Sequence, residues 1–276
     1  MIVDAHVHIL PDRVRDNVDS VAAREPWFGL CHGRGERTAS AESLVAAMDE
    51  HGVDRAVCFS WPFADAATCA EANDYIAGAV RRHPDRLIGF GVVQPLDPGA
   101  ASEVNRCARL GLAGIGEMNA DAQGWGLLDG EVAPVVRACV DAAMPWTLHC
   151  SEAVGRQYPG RGSSTPDRVM AFAERHADLT LICAHLGGGL PLYAHIPEVR
   201  RVCDRLYFDT AAQPFVYEAS VYRALVDGVG ADRILLGSDH PLLDVPRYLT
   251  ALEEAGIDEP ARGLITAGNA THLLHV

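Results

Sequence analysis

Ile2-Val3-Asp4-Ala5-His6-Val7-His8 opens the chain, an apolar run that ends in two histidines one residue apart. In a β-strand, residues i and i+2 point to the same face, so both imidazoles can converge on one point. Imidazole binds zinc and other transition metals, and two of them make half of a tetrahedral site. Alone, this pattern is also what two ordinary strand histidines look like. What decides the fold is the recurrence of such runs. Further strands are expected at 56–60, 87–93, 114–117, 146–149, 180–184, 206–209 and 234–237. Amphipathic helical stretches separate them, at 41–51, 69–83, 100–110, 131–143, 167–176, 196–205 and 217–228. Thr38 or Ser40, and the triplet Thr165-Pro166-Asp167, supply N-cap chemistry. Gly52, Gly111 and Gly228 stand where helices should end. Strands alternating with helices in this way describe an α/β protein, a (β/α)8 TIM barrel forming a single domain over residues 1–276. An open doubly wound sheet is the competing architecture, but no G-x-G-x-x-G follows the first strand. One segment breaks the rhythm. Residues 9–39 separate the first strand from its helix, and a loop that long predicts a lid or a binding loop.

The 276 residues are nearly half apolar and 22% charged, as suits a globular enzyme with a large core. No stretch approaches the roughly 20 apolar residues that span a bilayer. The acidic Asp4 within the first strand argues against a signal peptide, so a cytoplasmic location is expected. The net charge of −14 and the lack of a basic stripe argue against nucleic acid as a partner. A small-molecule substrate is expected, with no membrane partner; whether the chain forms a homodimer is open. All 23 basic residues are arginine. Without lysine there can be neither a Schiff base nor a carbamylated lysine bridging two metals. The eight cysteines form no C-x-x-C pair and read as small buried hydrophobes.

In a barrel the C-terminal ends of all strands open onto one face, so polar residues there meet in space. The first strand brings His6 and His8, the fourth Glu117, the fifth His149, the sixth His185 and the eighth Asp239. His51, His83 and His176 fall instead at helix ends, where a cation complements the helix dipole.

The combination of His6-x-His8, His149, His185 and Gly237-Ser238-Asp239-His240-Pro241 resembles the amidohydrolase superfamily, in its amidohydrolase-related branch of metal-dependent TIM-barrel hydrolases. The segments His149-Cys150-Ser151-Glu152-Ala153-Val154-Gly155 and Ala184-His185-Leu186-Gly187-Gly188-Gly189 extend the likeness, as does Asn269-Ala270. The resemblance implies that His6, His8 and Asp239 hold one divalent metal, with His149 completing a mononuclear site. Where relatives carry a carboxylate at the end of strand four, it bridges two metals, and His149 and His185 take the second ion. Glu117 would fill that place, so two ions are favoured over one. Zinc is the expected ion, with manganese or iron as alternatives. The implied reaction is hydrolysis of an amide, ester, lactone or related bond of a small molecule by metal-activated water. Asp239 would take the proton of that water and His185 would assist as the second catalytic residue. Candidate substrate contacts are Cys31, His32 and Arg37 from the long loop, Trp61 after strand two, and Asn119 and Trp125 after strand four. Arg156, Tyr158 and Arg161 after strand five complete them.

The alternative is a non-oxidative, metal-dependent decarboxylase of an aromatic or unsaturated carboxylic acid. One branch of the superfamily does this, generally with one metal and no strand-four carboxylate, so Glu117 favours the hydrolase. A non-catalytic barrel would be expected to have a broken ligand set, which this chain does not.

Overall fold

The computed structural model describes residues 1–33 and 37–276. Eight parallel strands lie side by side in chain order: β1 (Val3–His8), β2 (Arg55–Phe59), β3 (Leu87–Gly91), β4 (Gly114–Met118), β5 (Trp146–Leu148), β6 (Leu181–Cys183), β7 (Tyr207–Asp209) and β8 (Ile234–Leu235). The residues just after β8 bring its end against β1 and so nearly close the barrel. Ala5 N donates to Leu236 O at 2.7 Å, Asp239 N to His6 O at 2.9 Å, and His8 N to His240 O at 2.8 Å. A helix follows each strand: α1 (Ala41–His51), α2 (Ala66–Arg82), α3 (Ala100–Arg109), α4 (Ala133–Asp141), α5 (Pro166–Arg175), α6 (Pro197–Cys203), α7 (Val221–Val229) and α8 (Val245–Glu254).

The strands are short apolar runs because parallel strands in a barrel are covered on both faces. Val3, Ala5, Val57, Phe59, Ile88, Phe90, Ile182 and Leu235 pack together as one buried cluster inside the barrel. A larger cluster lies between strands and helices, with Trp146, Phe172, Phe208, Tyr222 and Tyr248 among its buried side chains. Ser40 starts α1 with a reciprocal cap: its hydroxyl accepts from Ser43 N at 3.1 Å, and Ser43 Oγ accepts from Ser40 N at 2.9 Å. Gly52 ends that helix at φ 68°. Gly228 does not end α7, which runs to Val229; it lies within the helix, where a Cβ would stand 3.0 Å from Pro191 O, and Gly230, at φ 89°, follows the last helical residue.

The long segment after β1 is not a bare loop. It contains three short helices, Asp12–Arg15, Val18–Ala22 and Pro26–His32, and only its residues 34–36 lie outside the described residues. Leu10, Val14, Val21 and Phe28 form a separate small core with Trp61, Phe63 and Val92 from the ends of β2 and β3. The insertion is therefore packed onto the barrel's C-terminal side by its own apolar face.

Candidate metal centre

Two strand irregularities aim the side chains that matter. The β1–β2 pairing shifts register between Asp4 and Val7. Val3 and Ala5 face the barrel interior, and after the shift the rings of His6 and His8 also stand inside, edge-on to Phe59 at 4.8 and 4.9 Å. The β4–β5 pairing shifts between Ile115 and Met118, both of which pack in the outer cluster, and Glu117 lies in that interval. Bulges of this kind re-aim side chains next to active sites. Gly116 permits it: at φ 141° it occupies a region closed to other residues, and an added Cβ would stand 2.6 Å from Thr147 Cβ. Gly237 is needed for a different reason. A Cβ there would lie 2.7 Å from that of His6, so only glycine lets β8 close on β1 beneath the ring.

His6, His8, Glu117, His149, His185 and Asp239 all converge. His6 Nε2 lies 3.3 Å from His8 Nε2 and 3.6 Å from Asp239 Oδ1, while His8 Nε2 lies 3.3 Å from the same oxygen. Glu117 Oε2 faces these two nitrogens at 4.0 and 3.7 Å. Donors held about 2.1 Å from one ion stand about 3.4 Å apart in a tetrahedron, so the spacing suits a cation. The other oxygen of Glu117 turns the opposite way, 2.9 Å from His149 Nδ1 and 3.1 Å from His185 Nε2. Those two nitrogens are themselves 3.1 Å apart.

The outer ring nitrogens make the case more specific. His6 Nδ1 pairs with Asp209 Oδ2 at 2.9 Å, His149 Nε2 with Gly160 O at 3.0 Å, and His185 Nδ1 with Ala211 O at 3.1 Å. Each acceptor fixes a proton on the outer nitrogen and turns the inner one toward the centre, as in metal-binding histidines. Asp209 is fully buried at the end of β7 and also accepts from the backbone of His185 and Ala211, at 3.1 and 3.0 Å. It was not among the residues picked out above, although it too ends an apolar run; nothing in the sequence distinguishes a carboxylate that braces an imidazole from a strand-end cap.

The charges also call for a cation. Burial opposes charge on His6, but Asp209, Glu117 and Asp239 outweigh it and raise its pKa to about 9. Burial likewise opposes charge on His185, yet Glu117 above all pushes it up to about 10. Burial would raise Glu117 and Asp239, but the surrounding imidazoles hold both carboxyls well below their ordinary range. Protons thus stand where a metal would otherwise balance two buried carboxylates. Two sets of three donors can hold an ion, His6–His8–Asp239 and His6–Glu117–His185. Both use the one free nitrogen of His6.

The substrate candidates divide. Trp61 and His32 stand beside His8: the Trp61 ring lies 6.3 Å from that of His8 and 5.0 Å from that of His32. Among the described residues, neither Trp61 Nε1 nor His32 Nδ1 has a hydrogen-bond partner. Cys31 is half-buried, with Sγ 3.5 Å from where a Gly160 Cβ would be, and Arg37 is exposed. Asn119 is committed to capping, its Oδ1 accepting from Asp121 N and Ala122 N at 3.0 and 3.1 Å. Trp125 is buried against Trp146. Arg161 spends its guanidinium on the carbonyls of residues 152, 155 and 156. Arg156 and Tyr158 line a separate cavity.

Comparison with known proteins corrects the expected reaction. The chain is 25% identical over 280 residues to a gamma-resorcylate decarboxylase of Polaromonas sp. (strain JS666 / ATCC BAA-500), covering 83% of this chain and 85% of the relative. The structure of 5-carboxyvanillate decarboxylase from Sphingomonas paucimobilis superposes with a TM-score of 0.80 at 18% identity, over 100% of this chain and 99% of that one. A 5-carboxyvanillate decarboxylase of Novosphingobium aromaticivorans, with bound manganese, gives 0.81 at 19% identity over 100% and 97%. The expectation of a hydrolase is overturned by the relationship to the gamma-resorcylate decarboxylase, which the decarboxylase alternative fits. A strand-four carboxylate such as Glu117 is therefore no mark of a hydrolase. Zinc likewise finds no support in these relatives, since the ion named is manganese. A model of the amidohydrolase family matches residues 3–276, and the chain belongs to that family.

Proposed function

We propose that the chain is a divalent-metal-dependent decarboxylase that removes the carboxyl group of an aromatic acid without redox chemistry. The observation that carries this reading is the relationship to the gamma-resorcylate decarboxylase, which extends over most of both chains. The donor set supports it: His6, His8 and Asp239 would hold the ion, with Glu117 Oε2 facing it. Glu117 Oε1, His149 Nδ1 and His185 Nε2, 2.9–3.1 Å from one another, would take a second ion only by giving up the proton assigned to His185 below, so one ion per chain is the reading, in place of the two expected from Glu117. A bound divalent ion would supply the positive charge that holds the oxygens of the acid.

The protein's own residues then manage the proton. Asp239 is kept ionised by its neighbours despite burial, so it serves as a ligand and not as the acid. Glu117, 3.1 Å from His185 Nε2, favours a proton on that nitrogen against the cost of burial. We assign to His185 the proton delivered at Nε2. The ring–carboxyl bond breaks with its electron pair left on the ring carbon, carbon dioxide departs, and the proton from His185 forms the new C–H bond. Trp61, His32 and Phe28 offer the ring an apolar wall beside His8.

The test is release of carbon dioxide from a panel of hydroxybenzoic acids by protein loaded with manganese, with His185→Gln alongside. We expect turnover of at least one acid and a loss of about 100-fold or more in the variant, as for removal of a general acid. No release from any acid by metal-loaded protein would overturn the reading.

A further inference from the structure

Beside the metal centre, the loops after β5, β6 and β7 enclose a cavity of about 290 Å3. None of the six metal-centre residues lines it. Its walls include Tyr158, Leu192, Tyr193, Phe215 and Tyr217, and Glu152 projects among them. Glu152 is 8% exposed. Tyr158 donates its hydroxyl to Oε2 at 2.6 Å and the Tyr217 hydroxyl also reaches the carboxylate, while Oε1 is buried and, among the described residues, accepts no well-aligned hydrogen bond.

A buried carboxylate ordinarily has a cationic partner, because taking it out of water unpaired is costly. Two arginines in the same loop are available and neither is used. Arg161 is turned back onto the carbonyls of Glu152, Gly155 and Arg156 at 2.8–3.1 Å. Arg156 donates to Phe215 O at 3.2 Å. Among the described residues no ion pair reaches Glu152. The loop is thus braced by its arginines while its carboxylate is left facing aromatic rings. Burial, and then the Glu152 charge, hold the Tyr158 and Tyr217 phenols well above their ordinary pKa, so both remain neutral rings with a hydroxyl.

We infer that this cavity is a second binding site, and that its ligand is a small organic ammonium ion with an apolar body. The ammonium would supply the missing partner of Glu152, and the tyrosine and phenylalanine rings would receive it by cation–π attraction. The cavity has room for a ligand of about one ring, at the small end of natural pockets. The chain has no lysine, so a second copy could offer an arginine, a protonated histidine or its N-terminal ammonium here.

Benzylamine, titrated calorimetrically into the full metal-loaded chain, tests the inference, with benzyl alcohol as the uncharged control. We expect saturable binding of one benzylamine per chain and none of the alcohol. Glu152→Gln should weaken it about tenfold or more, as expected when a buried charge loses its partner. Phe215→Ala, at an exposed ring, should weaken it several-fold without unfolding the chain, and carries the test if Glu152→Gln does not fold. Asp239→Asn should bind benzylamine as the parent does, which separates this site from the metal centre. Equal binding of the alcohol, full affinity in Glu152→Gln, or no saturable binding would overturn the inference. So would benzylamine binding that dissociates a dimer in sedimentation, since the occupant would then be a cationic group of the second copy.

Discussion

At the scale of single residues, the most consequential group is Asp209, because it fixes the tautomer of His6 and braces the backbone of His185 at once. Asp209→Asn would present an amide to Nδ1 and remove the charge that favours a proton there. We expect metal affinity to fall about 10- to 100-fold, as for other carboxylates behind a metal-binding histidine. A chelator competition measures this directly, and unchanged affinity would rule the role out. The six converging residues were legible because each ends an apolar run, and the barrel sends every run's end to one face. Asp209 ends such a run as well, but its partner is 203 residues away and no local spacing reports it. His32 carries a second expectation. Burial, reinforced by His8, lowers its pKa to about 4, against 6.5 in an unfolded chain. A histidine with a depressed folded pKa contributes its full stability above pH 6.5 and loses it as the pH falls toward 4. A metal beside His8 would push in the same direction. Titration of the His32 imidazole by NMR should give a value well below 6, and the helix that carries it should loosen in that window. An ordinary titration near 6.5 would contradict the burial.

At the scale of elements, the rhythm of strands and helices was readable because each strand must be apolar on both faces and each helix on one. The ends were less so. β6 and β8 shrink to Leu181–Cys183 and Ile234–Leu235, since the chain past them turns to bring His185 and Asp239 inward at φ 54° and 63°. Nor could the two register shifts be read, because a bulge depends on the pairing partner rather than on the strand's own residues. The insertion after β1 is the clearest case. Its length marked it as functional, but its three short helices carry too few apolar positions for a periodicity to show. Their stability comes from docking on Trp61, Phe63 and Val92. Phe28 is the centre of that contact, fully buried and 5.7 Å from the Trp61 ring. Phe28→Ala should cost about 3 kcal/mol or more, the usual range for a buried phenylalanine. Because the small core is separate from the barrel's, the loss should appear as faster amide exchange across the insertion with the strands still protected. Uniform loss of protection would mean that insertion and barrel unfold as one unit.

At the scale of the whole molecule, the metal centre joins β1, β4, β5, β6, β7 and the chain beyond β8, so almost every part of the barrel contributes to it. Such a site brings two carboxylates and four imidazoles into a volume that water barely enters, and the protein alone can balance them only by taking up protons. Stability of the metal-free barrel therefore depends on those protons, while an ion would bind only the folded arrangement. A ligand that binds the folded state alone stabilises it by about 4 kcal/mol when present at about 1,000 times its dissociation constant. Chelation should accordingly lower the melting temperature by several degrees, and the same change should be restored by one equivalent of manganese. The stoichiometry bears on the reaction as well as the fold. Two sets of donors share His6 Nε2, and His6 Nδ1 is already committed to Asp209. One ion can use that nitrogen; two cannot use it together. With His149, His185 and Glu117 Oε1 drawn in to 2.9–3.1 Å of one another, that side of the site is arranged to share a proton rather than to surround a second ion. Mass spectrometry of the intact folded chain should then find a single tightly held ion. Two ions retained per chain, both needed to restore the melting temperature, would return Glu117 to a bridging role and take from His185 the proton on which the proposed chemistry depends.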